Sequence, residues 1–530
     1  MNPVKLWSPE EQKFYNEKVW HQTTIGDEFA MWCERFSDNT ALISGEVKVS
    51  YRTLAAEVAG MASFLQERNI RRGDCVLLQL PNSIGFVKVL FALIRIGAVP
   101  VLLLPAQRAM DVVTLCGKSE ATHYISTDRF NNTDYTEIIS LLKKDYPDTV
   151  IITLSSEKDS DLVLSGYHGK QEFIYESGSN LDVAVLLLSG GTTGTPKLIP
   201  RTHAGYSYNF RTMAGITGMN EKSVYLNILP TAHNFSLSCP GIMGVLSAGG
   251  TVVIAKSGSF DEGFELIAKH KVTITAMVPT LAKLWAEAVE WDEPDLSSLK
   301  VLQVGGARLE YDDAVNMRKA FGCKLQQVFG TAEGLICCTR LEDSDETVAR
   351  TQGRPISPYD VCRIVDDDGN DLPEGAVGEL IVRGPYTINE YYMGGDKNLS
   401  GFTPDGFYRM GDLVRLTADG NYQVMGRVKE QINRAGEKIS PVEIENMLVK
   451  HAAIESCVAV PVKDEILGER ICVFAIGEPV ELGDVRDFLL KSGLALFKLP
   501  DQLVFIPAWP LTAVGKIDKK RLSAMGENSD

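Results

Sequence analysis

The sequence predicts an α/β protein: a large N-terminal domain of parallel-sheet subdomains plus a small β-barrel-like part, followed by a small α+β C-terminal domain. Three observations predict it. From about residue 40 to 330, short apolar runs alternate with helical patterns, as in parallel sheets covered by helices. From about residue 360 the chain turns to short strands punctuated by Asp-Gly and Gly-Asn, the residues of hairpin turns. After Gly426 a new unit of two helical patterns and short strands runs to about Leu522. A length of 530 residues is also more than one domain needs.

Taken in order, residues 1–20 contain no apolar core of a signal peptide. The run 75–80 reads as a strand, 83–96 as a helix and 99–104 as a core strand. The most hydrophobic stretch, 86–106, is interrupted by Lys88, Arg95, Gly97 and Pro100, so it reads as a helix ending at Gly97 plus a strand, not a membrane span. Further on, 183–188 and 251–255 read as strands, 260–270 as a helix and 272–278 as a strand. Turns follow at 366–370 (DDDGN), 373–379 (PEGAVGE), 403–408 (TPDGFY) and 417–422 (TADGNY). Ser440-Pro441-Val442-Glu443 has the form of a capping box, which starts a helix at about 441. The domain boundary is expected at 427–430, separating 1–426 from 431–530.

Composition is that of a globular protein, 45% hydrophobic and 23% charged, with a formal net charge of −16. That balance argues against general nucleic-acid binding, which needs a basic face. Anionic substrates must therefore be met by local lysines and arginines. The ten cysteines are scattered without a CxxC and the seven histidines without an HExxH, so neither a disulfide framework nor a zinc site is indicated. Most cysteines should be buried thiols in a reducing cytoplasm.

The densest chemical signal is LSGGTTGTPKLIP, 188–200. An apolar strand empties into Ser189, Gly190, Gly191, Thr192, Thr193, Gly194, Thr195 and Lys197. Glycine lets backbone approach an anion, N–H and O–H groups donate to its oxygens, and the ammonium neutralises charge. The loop is not a Walker A motif, because Lys197 follows a proline and precedes Leu198.

This loop resembles the ATP-binding loop of the acyl-adenylate-forming enzymes, and the resemblance runs the length of the chain. It implies a large body, a hinge at 427–430 centred on Lys429, and a small mobile C-terminal lid. It implies ATP as a substrate and Mg²⁺ held by Glu333, in Gln326-Gln327-Val328-Phe329-Gly330-Thr331-Ala332-Glu333-Gly334. A carboxylate suits Mg²⁺, a hard ion often shared with substrate phosphates. Gly305, Gly306, Ala307, Val328, Phe329, Gly330 and Thr331 would border the nucleotide. Asp412, in YRMGDL, would take the ribose hydroxyls, and Arg427 would bracket ribose and phosphate. Lys516, fourteen residues from the end in LTAVGKIDKKRL, resembles the catalytic lysine that bridges carboxylate and α-phosphate. The loop with Gly436 and Lys438 would enter the site for thioester formation, Gly436 bordering the thiol tunnel.

The run His233-Asn234-Phe235-Ser236-Leu237-Ser238-Cys239-Pro240-Gly241 resembles the aryl-acid adenylating members that begin siderophore synthesis. On that resemblance Asn234 would hydrogen-bond an ortho hydroxyl and the carboxylate, Phe235 would pack on the ring, and His233 would sit near carboxylate and phosphate. Relatives that activate 2,3-dihydroxybenzoate generally carry Ser where this chain has Cys239. A thiol is a weak partner for a 3-hydroxyl, so the pattern resembles the salicylate-activating members of yersiniabactin-type pathways. Ile336, at the second tuning position, leans slightly the same way.

The expected reaction is therefore ATP-dependent formation of salicyl-AMP with release of pyrophosphate. Transfer to the phosphopantetheine thiol of an aryl carrier protein on a separate polypeptide would follow. The alternatives are a 2,3-dihydroxybenzoate-AMP ligase of enterobactin type, an aryl-CoA ligase using coenzyme A, and an inactive nucleotide-binding scaffold. Retention of Lys197, Glu333, Asp412, Arg427 and Lys516 together argues against the last. A cytoplasmic location is expected.

Overall fold

The computed structural model describes residues 3–130, 133–156, 162–164, 173–176, 178–189, 196–434, 437–464, 466–492, 494–512 and 515–528. Gly190, Gly191, Thr192, Thr193 and Gly194 of the phosphate loop, and Gly436, lie outside the described residues. The chain divides into two compact units: Met1–Val361 with Val382–Tyr408, and Cys362–Ile381 with Arg409–Asp530. The stretch 427–430, expected as a boundary, lies within the second unit.

The first unit holds two large sheets. The nine-stranded sheet runs in the order Arg354–Pro355, Gly334–Cys338, Lys324–Thr331, Val301–Gly305, Ile274–Met277, Val224–Asn227, Thr251–Ile254, Thr40–Ser44, Val47–Ser50. Its interior pairs are parallel, and its strands Val301–Gly305 and Ile274–Met277 are buried along their length, as sheets covered on both faces require. The seven-stranded sheet runs Leu198–Thr202, Val183–Leu188, Val99–Leu102, Cys75–Gln79, His123–Thr127, Val150–Ser156, Leu162–Leu164, again parallel inside. The expected 83–96 helix is Ile84–Ile96. It is apolar nearly all round, buried, and stopped by Gly97 in the left-handed conformation (φ 80°). No helix among the described residues is long and apolar enough to cross a membrane.

One feature departs from a purely parallel expectation. Both sheets carry antiparallel hairpins at their edges, and these hold residues predicted to carry the chemistry. Val183–Leu188 pairs antiparallel with Leu198–Thr202, and Lys324–Thr331 with Gly334–Cys338. The reason is connection length. A parallel return needs a crossover of a dozen or more residues, whereas only Ala332 and Glu333 separate the second pair.

In the second unit, the turn-rich region forms a four-stranded sheet ordered Val361–Val365, Val377–Arg383, Tyr408–Leu416, Tyr422–Arg427. The 417–422 turn joins the last two strands as an antiparallel hairpin. A second sheet, Glu437–Ile439, Ile432–Arg434, Gly468–Gly477 and Ile454–Asp464 with Gln502–Phe505 alongside, packs helices Pro441–Leu448 and Leu482–Lys491 over Ile432, Ile444, Ile471, Val473, Val485 and Leu489. The helix does start at Pro441, but the capping box does not form. The Ser440 hydroxyl donates to the Met425 carbonyl at 3.2 Å, and Glu443 takes the Lys498 ammonium at 2.6 Å. Tertiary partners outcompete the local cap.

All ten cysteines are free and eight are buried. No cluster of three potential metal ligands occurs among the described residues.

Candidate active site

The two ends of the predicted phosphate loop are fixed by the edge hairpin. Lys197 N–H donates to the Ser189 hydroxyl at 3.0 Å and Ser189 N–H to the Lys197 carbonyl at 3.1 Å. The Lys197 ammonium then donates to the Tyr391 hydroxyl at 2.9 Å, and that hydroxyl donates to Glu333 Oε1, also at 2.9 Å. A cation, a phenol and a carboxylate thus form one chain. Burial and the Glu333 charge push the Tyr391 phenol far above its usual range, so it stays neutral and donates. Lys118 adds a second ammonium, donating to the Pro196 carbonyl at 3.0 Å. Burial, then Lys397 and Lys197, pull its pKa down. Lysines therefore gather on this side of an acidic protein.

Glu333 itself is buried, at the tip of the two-residue turn after Thr331. Its backbone carbonyl accepts from Ile388 N–H at 2.8 Å. One buried hard-oxygen ligand suits Mg²⁺, whose remaining positions are filled by water and substrate phosphates.

Gly305 and Val328 are paired at the ends of adjacent parallel strands, the edge where open α/β sheets bind ligands. A side chain at Gly305 would meet the Val328 carbonyl at 2.5 Å and the Phe235 ring at 3.1 Å, so only glycine fits. Gly306 (φ 85°) and Ala307 beyond it are exposed. Gly330 pairs with Ile336 across the hairpin, and a side chain there would strike the Leu335 carbonyl at 2.3 Å. Phe235, Gly305 and Val328 therefore meet, and Gly330 meets Ile336 two residues further along the same strand, which also carries Phe329 and Thr331.

The predicted acid-binding run forms the short helix Asn234–Ser238. His233 caps it, Nδ1 accepting Phe235 N–H at 3.2 Å. Asn234 Oδ1 accepts from Tyr206 Oη at 2.9 Å and Ser238 Oγ at 2.8 Å, and Nδ2 donates to Cys239 Sγ at 3.5 Å. Burial pushes the Cys239 thiol up to about 11, so it stays protonated near neutral pH. Behind this layer lies Arg201, fully buried, with its guanidinium 4.9 Å from the Tyr206 ring centre. It donates to Asn209 Oδ1 at 3.3 Å and to the Ala332 carbonyl, next to Glu333. Burial lowers its pKa. Ile336 is held from below: its N–H donates to Tyr386 Oη at 3.1 Å, which donates to Asp360 Oδ2 at 2.7 Å.

In the second unit, Arg427 Nε donates to Asp412 Oδ1 at 2.8 Å and Nη2 to Oδ2 at 3.4 Å. Asp412 is 6% exposed by side chain and Arg427 52%. Lys516 lies near both: burial and then Arg427 lower its pKa, while Asp412 and Glu430 raise it. Its loop is closed by Thr512, whose N–H donates to the Lys516 carbonyl at 2.7 Å. Lys519 ties the same segment to Glu430 at 2.8 Å. Lys429 is exposed. Lys438 lies in the strand Glu437–Ile439, and its side chain is outside the described residues.

Sequence reasoning missed Tyr391, Arg201, Tyr206 and Ser238. The first is in an ordinary YYMGGD run, and an arginine in a buried strand is legible only as an oddity.

Comparison with known proteins matches the AMP-binding enzyme family to residues 29–392 and the AMP-binding enzyme C-terminal domain to 443–516. A 2,3-dihydroxybenzoate-AMP ligase of Bacillus subtilis is 43% identical, covering 97% of this chain and 96% of that protein. A salicyl-AMP ligase / salicyl-S-ArCP synthetase of Mycobacterium tuberculosis is 43% identical over 94% of this chain and 89% of its own. Among solved structures, the apo structure of Mycobacterium smegmatis MbtA superimposes with a TM-score of 0.76 at 39% identity, covering 98% of both chains.

Proposed function

The chain belongs to the AMP-binding enzyme family, and from that premise we propose that it is an aryl-acid AMP ligase that activates salicylate and passes it to a carrier-protein thiol. A carboxylate oxygen of the acid attacks the α-phosphorus of ATP, and the bond to the pyrophosphate oxygen breaks. The phosphopantetheine thiolate of a separate aryl carrier protein then attacks the acyl carbon and AMP leaves. The first step needs no base, because the acid is already ionised at neutral pH.

The residues take distinct roles. Ser189 and Lys197, with the loop between them, would hold the phosphates. Gly305 to Ala307 and Val328 to Thr331 would border the adenine. Asp412 would accept the ribose hydroxyls, Arg427 sharing the carboxylate it now grips. Glu333 fits Mg²⁺, which when bound would neutralise phosphate charge. Lys516 would stabilise charge growing at phosphorus, and its depressed pKa reflects a poorly solvated ammonium whose field is correspondingly strong. Lys429 as hinge, with Lys438 and Gly436 serving the second step, completes the proposal.

The observation that carries the substrate is the Asn234–Cys239 pair. The amide N–H, now against the Cys239 sulfur, would donate to an ortho oxygen and the carboxylate of the acid. The thiol beside it is buried, protonated and a weak hydrogen-bond partner. A 3-hydroxyl left unpaired there costs about 1–3 kcal/mol, roughly tenfold or more in selectivity. Acid-dependent pyrophosphate exchange with Mg-ATP tests this. Exchange greatest with salicylate supports the reading; exchange greatest with 2,3-dihydroxybenzoate keeps the reaction and removes the thiol argument.

A further inference from the structure

We infer that Tyr206 and Ser238 are positioning residues that fix Asn234 as a hydrogen-bond donor, so that the pocket selects acids whose ortho substituent accepts a hydrogen bond. The inference rests on the aryl-acid reading above and goes beyond it, because it sets the chemistry of the ortho group.

Tyr206 is fully buried, and burial keeps its phenol neutral. A buried hydroxyl has one proton and must place it. Tyr206 Oη finds Asn234 Oδ1 at 2.9 Å, and Ser238 Oγ finds the same oxygen at 2.8 Å. Ser238 Oγ also lies 3.3 Å from the Asn234 backbone carbonyl, and its shorter contact is the one to the side-chain oxygen, so two donors use both lone pairs of Oδ1. The amide is then oriented with Nδ2 on the opposite side. There it meets Cys239 Sγ at 3.5 Å, a sulfur that accepts weakly. One strong N–H remains for the acid.

Both positioning groups are themselves held. The Tyr206 ring lies against the Arg201 guanidinium at 4.9 Å. The Ser238 carbonyl accepts from Asn209 Nδ2 at 2.8 Å, while Arg201 fixes Asn209 by its oxygen at 3.3 Å. Flipping the Asn234 amide would take from the buried Tyr206 proton the acceptor it now has and leave Oδ1 facing a thiol that donates poorly.

The consequence is a choice between two classes of benzoic acid. An ortho hydroxyl turns its proton to its own carboxylate and presents an oxygen lone pair, which the Asn234 N–H can use. An ortho amine delocalises its lone pair into the ring and presents an N–H, so donor faces donor. The pocket is built for 2-hydroxy rather than 2-amino aryl acids.

The test is pyrophosphate exchange with salicylate, 2-aminobenzoate and benzoate, using the full chain and the variants Tyr206→Phe, Ser238→Ala and their combination. The expected result is that the double variant lowers the salicylate to 2-aminobenzoate ratio of kcat/KM by about tenfold. The change should lie in the KM of the acid, with the KM of Mg-ATP held and salicylate losing more than benzoate. Each single variant should give part of the effect, and Ser238→Ala is the smaller perturbation of the core. Equal losses for all three acids, or an unmoved ratio, overturn the positioning role while leaving the aryl-acid reading intact. Absence of exchange by the wild-type chain with every benzoate overturns both.

Discussion

The proposed acid pocket and the Asp412–Arg427–Lys516 group are built by opposite means. In the pocket, Asn234, Ser238, Cys239 and Tyr206 are buried and hydrogen-bonded through the Asn234 amide, with buried Arg201 against the Tyr206 ring. In the second group a half-exposed arginine grips a buried carboxylate, and a lysine stands near both without a described hydrogen bond from its ammonium. Selectivity needs geometry fixed before the substrate arrives, since an unpaired buried polar atom is what rejects the wrong acid. Charge stabilisation needs cations that can regroup around a triphosphate. Substitutions in the first region should therefore change preference and stability, and those in the second should change rate alone.

The sharpest way to break this contrast is Lys516→Ala. Loss of a preorganised charge should lower the exchange rate by about 100- to 1,000-fold. Since burial disfavours the Lys516 ammonium in the fold, the melting temperature should hold or rise. A large fall in melting temperature would erase the distinction between the regions. The same group sets a pH limb. Its pKa lies below that of a free lysine, so the cation is lost as pH rises through that lowered value. The alkaline fall in kcat/KM should come earlier than for an ordinary lysine, and Lys516→Arg should move it upward whatever it does to the rate.

On the buried side, Asp360 supports Ile336 through Tyr386. Burial raises its carboxyl to about 7, against the lowering effect of the Tyr386 hydroxyl. A folded pKa above the unfolded one means the native state binds the extra proton. Stability should therefore decline as pH rises from about 4 through 7, the full penalty being present above 7. Asp360→Asn should recover about 2 kcal/mol at pH 8 and little at pH 4, measured by denaturant unfolding.

Tyr391→Phe removes the hydroxyl linking Lys197 to Glu333. It should cut kcat/KM for Mg-ATP by about five- to tenfold and leave the KM of the acid in place. A change in acid KM instead would show that the Lys197–Tyr391–Glu333 chain is coupled to the acid pocket. Cys239→Ser tests the pocket's selectivity alone: it should raise relative use of 2,3-dihydroxybenzoate roughly tenfold or more, read as a ratio of kcat/KM values. An unchanged ratio would mean that the thiol does not face the 3-position.

Much of this was legible in the residues and their order. Strand Val183–Leu188 and helix Phe260–His270 match the expected spans, because burial writes its period into the sequence. The Asp-Gly turn of 417–422 made its hairpin because few other residues accept that backbone. The glycines at 305 and 330 stand where a side chain would strike a neighbouring carbonyl. The phosphate-loop composition, Glu333 in its turn and the lysine at 516 were all visible as local chemistry.

What only the tertiary structure decided is which of these groups meet. Tyr391 joins Lys197 and Glu333 across separations of 194 and 58 residues, and Tyr206 reaches Asn234 across 28. Ser440, placed for a local cap, gives its proton to Met425 instead. Periodicity and turn chemistry act over a few residues and so leave a record in the sequence. Strand order brings distant side chains within 3 Å, and a buried hydroxyl then takes whichever acceptor the packing offers.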